Sequence, residues 1–199
     1  MKKLFIPALA LLFSASTFAA SYEITPRHGY IQNPQSRAYL CYTMKNKDCG
    51  NNVPKDYQSI EGPKGFPAAG PKDGEIASGG NALFDVLNQQ SSDRWHHVKL
   101  NSGKNKFTWT ITKQHATTAM RFFITQENWD PNSPLARADF ALTPFCQKEF
   151  EGALPGDVVK LECDVPSRSG YHVILGVWDI ADTTKAFYQV IDADIKPLP

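Results

Sequence analysis

Charge of one sign is missing from this sequence. Its 21 lysines and arginines against 20 aspartates and glutamates leave a formal net charge of +1. A chain with no basic excess or cluster is not equipped to hold nucleic acid by its phosphates, so neutral surfaces or small ligands are the expected partners. Long apolar runs are missing as well. The apolar stretch over residues 4–13 falls short of the about 20 residues that span a bilayer, and no later stretch is continuously apolar for that length. No membrane partner is expected. Nucleophile machinery is also absent: there is no Gly-x-Ser-x-Gly elbow and no His-Glu-x-x-His pair, which removes the commonest hydrolase signatures. Carboxylates are numerous, but no spacing marks the acid–base pair of a glycosidase. No two cysteines stand in the CxxC spacing of a zinc thiolate site, and no internal repeat or second module is visible.

What is present begins with a targeting signal. Met1-Lys2-Lys3 leads into the apolar stretch and then into Ser14-Ala15-Ser16-Thr17, the three parts of a secretory signal peptide. Residues 1–20 are read as that signal, 21–27 as a short spacer or pro-segment, and 28–199 as one domain large enough to bury a core. The mature protein is expected to be secreted, extracellular and monomeric. Four cysteines, Cys41, Cys49, Cys146 and Cys163, are an even number in an exported chain and read as disulfides. Three pairings are open to them. The local one, Cys41–Cys49 with Cys146–Cys163, is the expectation, each closure removing about 3 kcal/mol of unfolded-state entropy for a loop near 15 residues.

From Cys41 to about Gly80 the chain is rich in Gly, Pro, Asn, Lys and Asp and has little periodicity. A long loop of this kind inside a compact domain is more often functional than idle. Residues 81–88 suggest a short helix with Leu83, Val86 and Leu87 on one face. Beyond it the period becomes two. Phe107, Trp109 and Ile111 alternate with threonines, and strand-like runs follow at 121–125, 158–163, 171–178 and 186–191, separated by turn residues such as Leu154-Pro155-Gly156-Asp157. Short strands punctuated in this way suggest a sandwich of two antiparallel sheets.

Such a scaffold has no activity of its own, so function is argued from a site. Of the five histidines, His172 enters an apolar strand and reads as packed, while His96-His97 reads as surface. His28 and His115 differ in their surroundings. His28-Gly29-Tyr30 is followed by Pro34, Ser36 and Arg37; Glu61-Gly62, Gly65-Phe66-Pro67 and Asp73-Gly74 punctuate the long loop. Phe107-Thr108-Trp109 precedes His115-Ala116-Thr117-Thr118. Thr143-Pro144-Phe145-Cys146, Val177-Trp178-Asp179-Ile180-Ala181-Asp182 and Ala186-Phe187-Tyr188-Gln189 close the series.

In this order the motifs resemble the bacterial chitin-active lytic polysaccharide monooxygenases, the chitin-binding type-4 family, from His28 to Ile195. The resemblance implies a fibronectin type III/immunoglobulin-like β-sandwich with a long loop region between its first strands. It also implies one copper ion, held by the terminal amine and imidazole of His28 and by the imidazole of His115. Phe187 would be the apolar residue at an axial position and Glu61 the carboxylate beside the metal; these two are the catalytic assignments. Tyr57, Glu61 and Asp182 would meet the polysaccharide. Arg37 and Trp178 read as structural. The implied activity is oxidative cleavage of crystalline chitin or a related polysaccharide, using an external electron donor; a non-catalytic chitin-binding or adhesion protein on the same scaffold is the alternative. Two departures stand out. Seven residues, Ser21 to Arg27, precede the histidine with which the family begins its mature chain. Lys113 stands where relatives carry a small alanine. The substrate face also differs: Lys55 stands where close relatives often place a tyrosine that stacks on sugar rings, with Tyr57 nearby, and Lys185 replaces a common neutral residue.

Overall fold

The computed structural model describes residues 28–198; the signal peptide read over 1–20 and the spacer read over 21–27 lie outside the described residues. In chain order the strands are β1 (Gly29–Asn33), β2 (Glu61–Pro63), β3 (Val98–Asn101), β4 (Gly103–Ile111), β5 (Thr117–Ile124), β6 (Cys146–Glu149), β7 (Val158–Val165), β8 (Gly170–Ile180) and β9 (Lys185–Lys196). They form two sheets. One is three-stranded, ordered β1-β4-β7; the other is ordered β2-β9-β8-β5-β6, with β3 added in parallel along the far half of β9. All other pairings are antiparallel, the sandwich expected from the strand runs.

Burial along each strand follows from what covers its faces. β7 alternates strictly, with Val159, Leu161, Cys163 and Val165 inward and Lys160, Glu162 and Asp164 in solvent, because only one face of the small sheet meets a core. β8 is buried continuously from His172 to Ile180. Its Ile174, Trp178 and Ile180 face Ile31, Phe107 and Trp109 between the sheets. Val173, Leu175 and Val177 point the other way, into a second core with Val53, Ile60, Phe66 and Ile76. The long loop region is therefore a third layer, folded over the outer face of the large sheet. No helix among the described residues is long and apolar enough to cross a membrane.

One helical turn was not anticipated. α1 (Arg37–Tyr42) starts at Ser36, whose hydroxyl accepts from Tyr39 N–H, the usual way to satisfy an orphan donor. It places Arg37 in the interior, 1% exposed. Its guanidinium grips Asp192 through Nε (2.9 Å) and Nη2 (2.6 Å) and donates to the Leu87 carbonyl (2.7 Å). Tyr171 O–H donates to the same Asp192 carboxylate.

The helix expected at 81–88 is a 3-10 helix, Ala82–Asn88, and its buried residues are Phe84 and Leu87. Leu83 is 63% exposed, contrary to the face expected for it. With three residues per turn, positions 84 and 87 eclipse each other and 83 falls outside. Both local disulfides form; Cys146–Cys163 joins β6 of the large sheet to β7 of the small one. His96 is exposed, but His97 is half-buried with its ring stacked on Tyr171 at 3.9 Å, a correction to the surface reading of that pair.

Candidate metal centre

His28 immediately precedes β1 and is held by its backbone on two sides. Its carbonyl accepts from Thr112 N–H (3.1 Å) and Lys113 N–H (3.2 Å), and the Gly29 N–H donates to the Gln58 carbonyl (3.0 Å). The turn from β4 to β5 thus closes over His28 from one side and the long loop from the other. His115 lies at the end of that turn, 8% exposed. Its carbonyl accepts from the Thr117 hydroxyl (2.9 Å), which in turn accepts from Trp178 Nε1–H (2.8 Å).

Trp178 is the floor of this region. Fully buried, it lies 6.1 Å from the His115 ring and stacks on Phe187 at 4.9 Å. A Cβ at Gly29 would sit 2.6 Å from its indole, so only glycine lets β1 pass this close and bring His28 alongside. Phe187, itself fully buried, stands opposite Glu61 in the β2–β9 pairing, and Glu61 is half-buried. Asp182 is exposed in the turn between β8 and β9. Lys64 ties that turn to the loop, donating through Nζ to the carbonyls of Ile180 (2.6 Å) and Thr183 (2.7 Å). Ala181 N–H donates to the Ala116 carbonyl (2.7 Å). Through these links His28, His115, Glu61, Phe187 and Asp182 gather at one end of the sandwich. Lys113 is exposed there, its charge solvated.

Tyr57 sits at the side of this end. It is half-buried, stacks on Tyr42 at 4.4 Å and meets Tyr30 edge-on at 4.9 Å; Tyr39 completes a cluster of four phenols. Burial, with Tyr30 and Tyr42 close by, pushes the Tyr57 hydroxyl up to about 12, so it is a neutral donor at ordinary pH. A surface cleft of about 580 Å³ beside Lys45, Asp48, Arg94, Trp95 and His96 contains none of the candidate residues.

Two contacts of His28 had no signal in the sequence. Its Nδ1 is hydrogen-bonded to the Ser59 hydroxyl and lies 3.7 Å from Asp56 Oδ1. Ser59 and Asp56 belong to the unpatterned loop, where neither period nor motif points inward.

Among the described residues no three His, Cys, Asp or Glu side chains converge as metal ligands. The candidate donor set is a different one: two imidazoles on neighbouring elements, and a third nitrogen at the His28 backbone. Inside a chain that nitrogen is a planar amide whose lone pair is delocalised; as a terminal amine it is a competent donor. Imidazole and amine nitrogens suit copper, and a buried phenyl ring close by adds no competing ligand. The residues fit a copper ion, provided that the bond before His28 is open.

The family described as lytic polysaccharide mono-oxygenase, cellulose-degrading, matches residues 28–193. GlcNAc-binding protein A of Shewanella oneidensis is 46% identical over 170 residues, which make up 85% of this chain and 36% of that protein; the chain spans little more than a third of that relative. An AA10 lytic polysaccharide monooxygenase from Photorhabdus luminescens superposes with a TM-score of 0.84 at 48% identity, covering 86% of this chain and 100% of that one. A CBM33 protein from Bacillus amyloliquefaciens, solved in complex with Cu(I) after photoreduction, superposes with a TM-score of 0.77 at 42% identity, covering 85% and 100%. On these matches and on the immunoglobulin-like sandwich described above, the chain belongs to the AA10 lytic polysaccharide monooxygenase family.

Proposed function

We propose that the protein is exported and, with one copper ion, cleaves crystalline chitin oxidatively. The observation that carries this reading is that His115 and Gly29, the residue next to His28, both lie against one buried indole, in a domain whose family match begins at His28 itself. In this reading 1–20 is the signal peptide, 21–27 is removed by a second cut after Arg27, and 28–199 is the active domain. His28 would supply amine and imidazole, and His115 the second imidazole. Phe187 would present only a phenyl ring toward the metal, and Glu61 would offer a carboxylate beside it. Tyr57, Glu61 and Asp182 face the polysaccharide. Copper bound there supplies one-electron chemistry toward oxygen or peroxide, with electrons from an external donor. The name of the Shewanella relative, GlcNAc-binding protein A, supports a polymer of N-acetylglucosamine over the cellulose in the family's description.

The seven residues before His28 favour a second reading, a non-catalytic chitin-binding or adhesion protein in which His28 stays internal. One experiment separates the two. Chain beginning at His28, loaded with one copper and given ascorbate and β-chitin, is expected to release oxidised chito-oligosaccharides detectable by mass spectrometry, and none from cellulose. Chain beginning at Ser21 is expected to release none. Retention on chitin without oxidised product from either form would replace the enzyme with the binder.

A further inference from the structure

The turn between β8 and β9 carries Asp182 at its tip, and its other residues are each held by a hydrogen bond. Ala181 N–H donates to the Ala116 carbonyl (2.7 Å), and the Thr183 hydroxyl accepts from Lys185 N–H (3.2 Å). Three carbonyls of the segment converge on Lys64. Its N–H donates to Thr184 (2.9 Å), and its Nζ donates to Ile180 (2.6 Å) and Thr183 (2.7 Å). Asp182 itself is exposed and, among the described residues, makes no hydrogen bond or ion pair. Its place is therefore set by its neighbours, and through them by Lys64.

An ammonium has three donors and no acceptor. Gathering two carbonyls that lie three residues apart, it curls the turn about a single internal cation, with bonds stronger than those between neutral partners. Lys64 is half-buried and pairs with no carboxylate among the described residues, so its charge serves the turn and does not neutralise an acid. It also follows β2 directly, three positions after Glu61. One side chain thus joins the strand that carries Glu61 to the turn that carries Asp182.

We propose that Lys64 is a positioning residue for the polysaccharide, acting through Asp182 by holding that carboxylate in place relative to Glu61 before substrate arrives. This rests on the reading of Asp182 and Glu61 as chitin contacts. A turn that had to be ordered on binding would lose affinity to that ordering, whereas contacts supported by locked neighbours keep it. Without the ammonium, the Ile180 and Thr183 carbonyls lose this donor and the Asp182 tip is released, while the strands below it stay paired.

The test is a double-mutant cycle on binding of the secreted protein to β-chitin, without reductant. Lys64→Met keeps the apolar stem and removes the donors. It is expected to weaken binding by about tenfold, the equivalent of one hydrogen bond to substrate. Asp182→Ala should weaken binding by a similar factor, and adding Lys64→Met to it should weaken binding by less than about twofold more. Lys64→Arg, which keeps a cation with several N–H donors, should restore most of the binding. A residue that only stabilised the fold would weaken both backgrounds alike, so equal losses in the two would overturn the proposal, as would undiminished binding by Lys64→Met. Lys64→Gln repeats the cycle if Lys64→Met does not fold, and failure of both to fold makes Lys64 structural and overturns it too. Wild-type binding with Asp182→Ala unimpaired overturns this inference alone. Wild-type protein that does not bind β-chitin overturns the function proposed above and this inference with it.

Discussion

Arg37 and His115 are both buried, and their replacement should separate stability from metal binding. Arg37→Ala leaves the Asp192 carboxylate buried without its cation, hydrogen-bonded to the Tyr171 hydroxyl. A broken buried ion pair costs about 3–5 kcal/mol, so urea unfolding should show a loss of that order, with Cu(II) affinity at the His28-terminal site unchanged in protein that remains folded. His115→Ala should do the reverse, abolishing tight Cu(II) binding in calorimetry while shifting the unfolding midpoint far less. The structural reading of Arg37 came with the family resemblance and not from a partner visible in the sequence. Its partner, Asp192, was not legible, since it is far away in sequence. Ser59 and Asp56 were not legible either. Their contact with His28 depends on a loop path that has no period, and only the folded chain shows it.

Elements differ in how plainly they could be read. The alternation of β7 survives in its sequence because water covers one face. β8 and β9 lost theirs because a core lies on both sides, and they read as apolar runs whose inward residues only the pairing register distinguishes. α1 escaped notice because one helical turn is too short for a 3.6-residue pattern, and Leu83 was misplaced because its helix winds with three residues per turn. The long loop was legible as a loop, and its role as a third layer follows from Phe66, Ile60 and Ile76 reaching the large sheet. Its closest constraint is at Gly62, where a Cβ would lie 2.0 Å from the Gly79 carbonyl oxygen. That contact is between backbones and no side chain can yield. Gly62→Ala should therefore displace β2 with Glu61, seen as faster amide exchange over residues 61–65 and weaker retention on chitin. The inter-sheet disulfide closes a loop with a sequence separation of 17. Replacing Cys146 and Cys163 together by serine should lower stability by about 2–4 kcal/mol, measured by urea unfolding.

For the whole molecule, pH should act through the buried histidines. Burial pushes His172 down to about 4, and the nearby Arg168 cation acts in the same direction, against a smaller opposing effect of Thr125. Burial lowers His97 as well. Between the ordinary value of 6.5 and about 4 the unfolded chain takes up a proton at His172 that the folded chain does not. Stability is accordingly expected to fall as pH falls through that window and to owe nothing to His172 above it. Melting temperature against pH should show this slope, and His172→Gln should flatten it. The family and the sandwich were legible at this scale because motifs spread from His28 to Ile195 agree in order. The state of the bond before His28 could not be read from the same motifs, and the copper site depends on it. Electron paramagnetic resonance of Cu(II) in chain beginning at His28, compared with chain beginning at Ser21, tests that dependence most directly. Three nitrogen ligands in the first and fewer in the second are expected; the same spectrum from both would contradict the account.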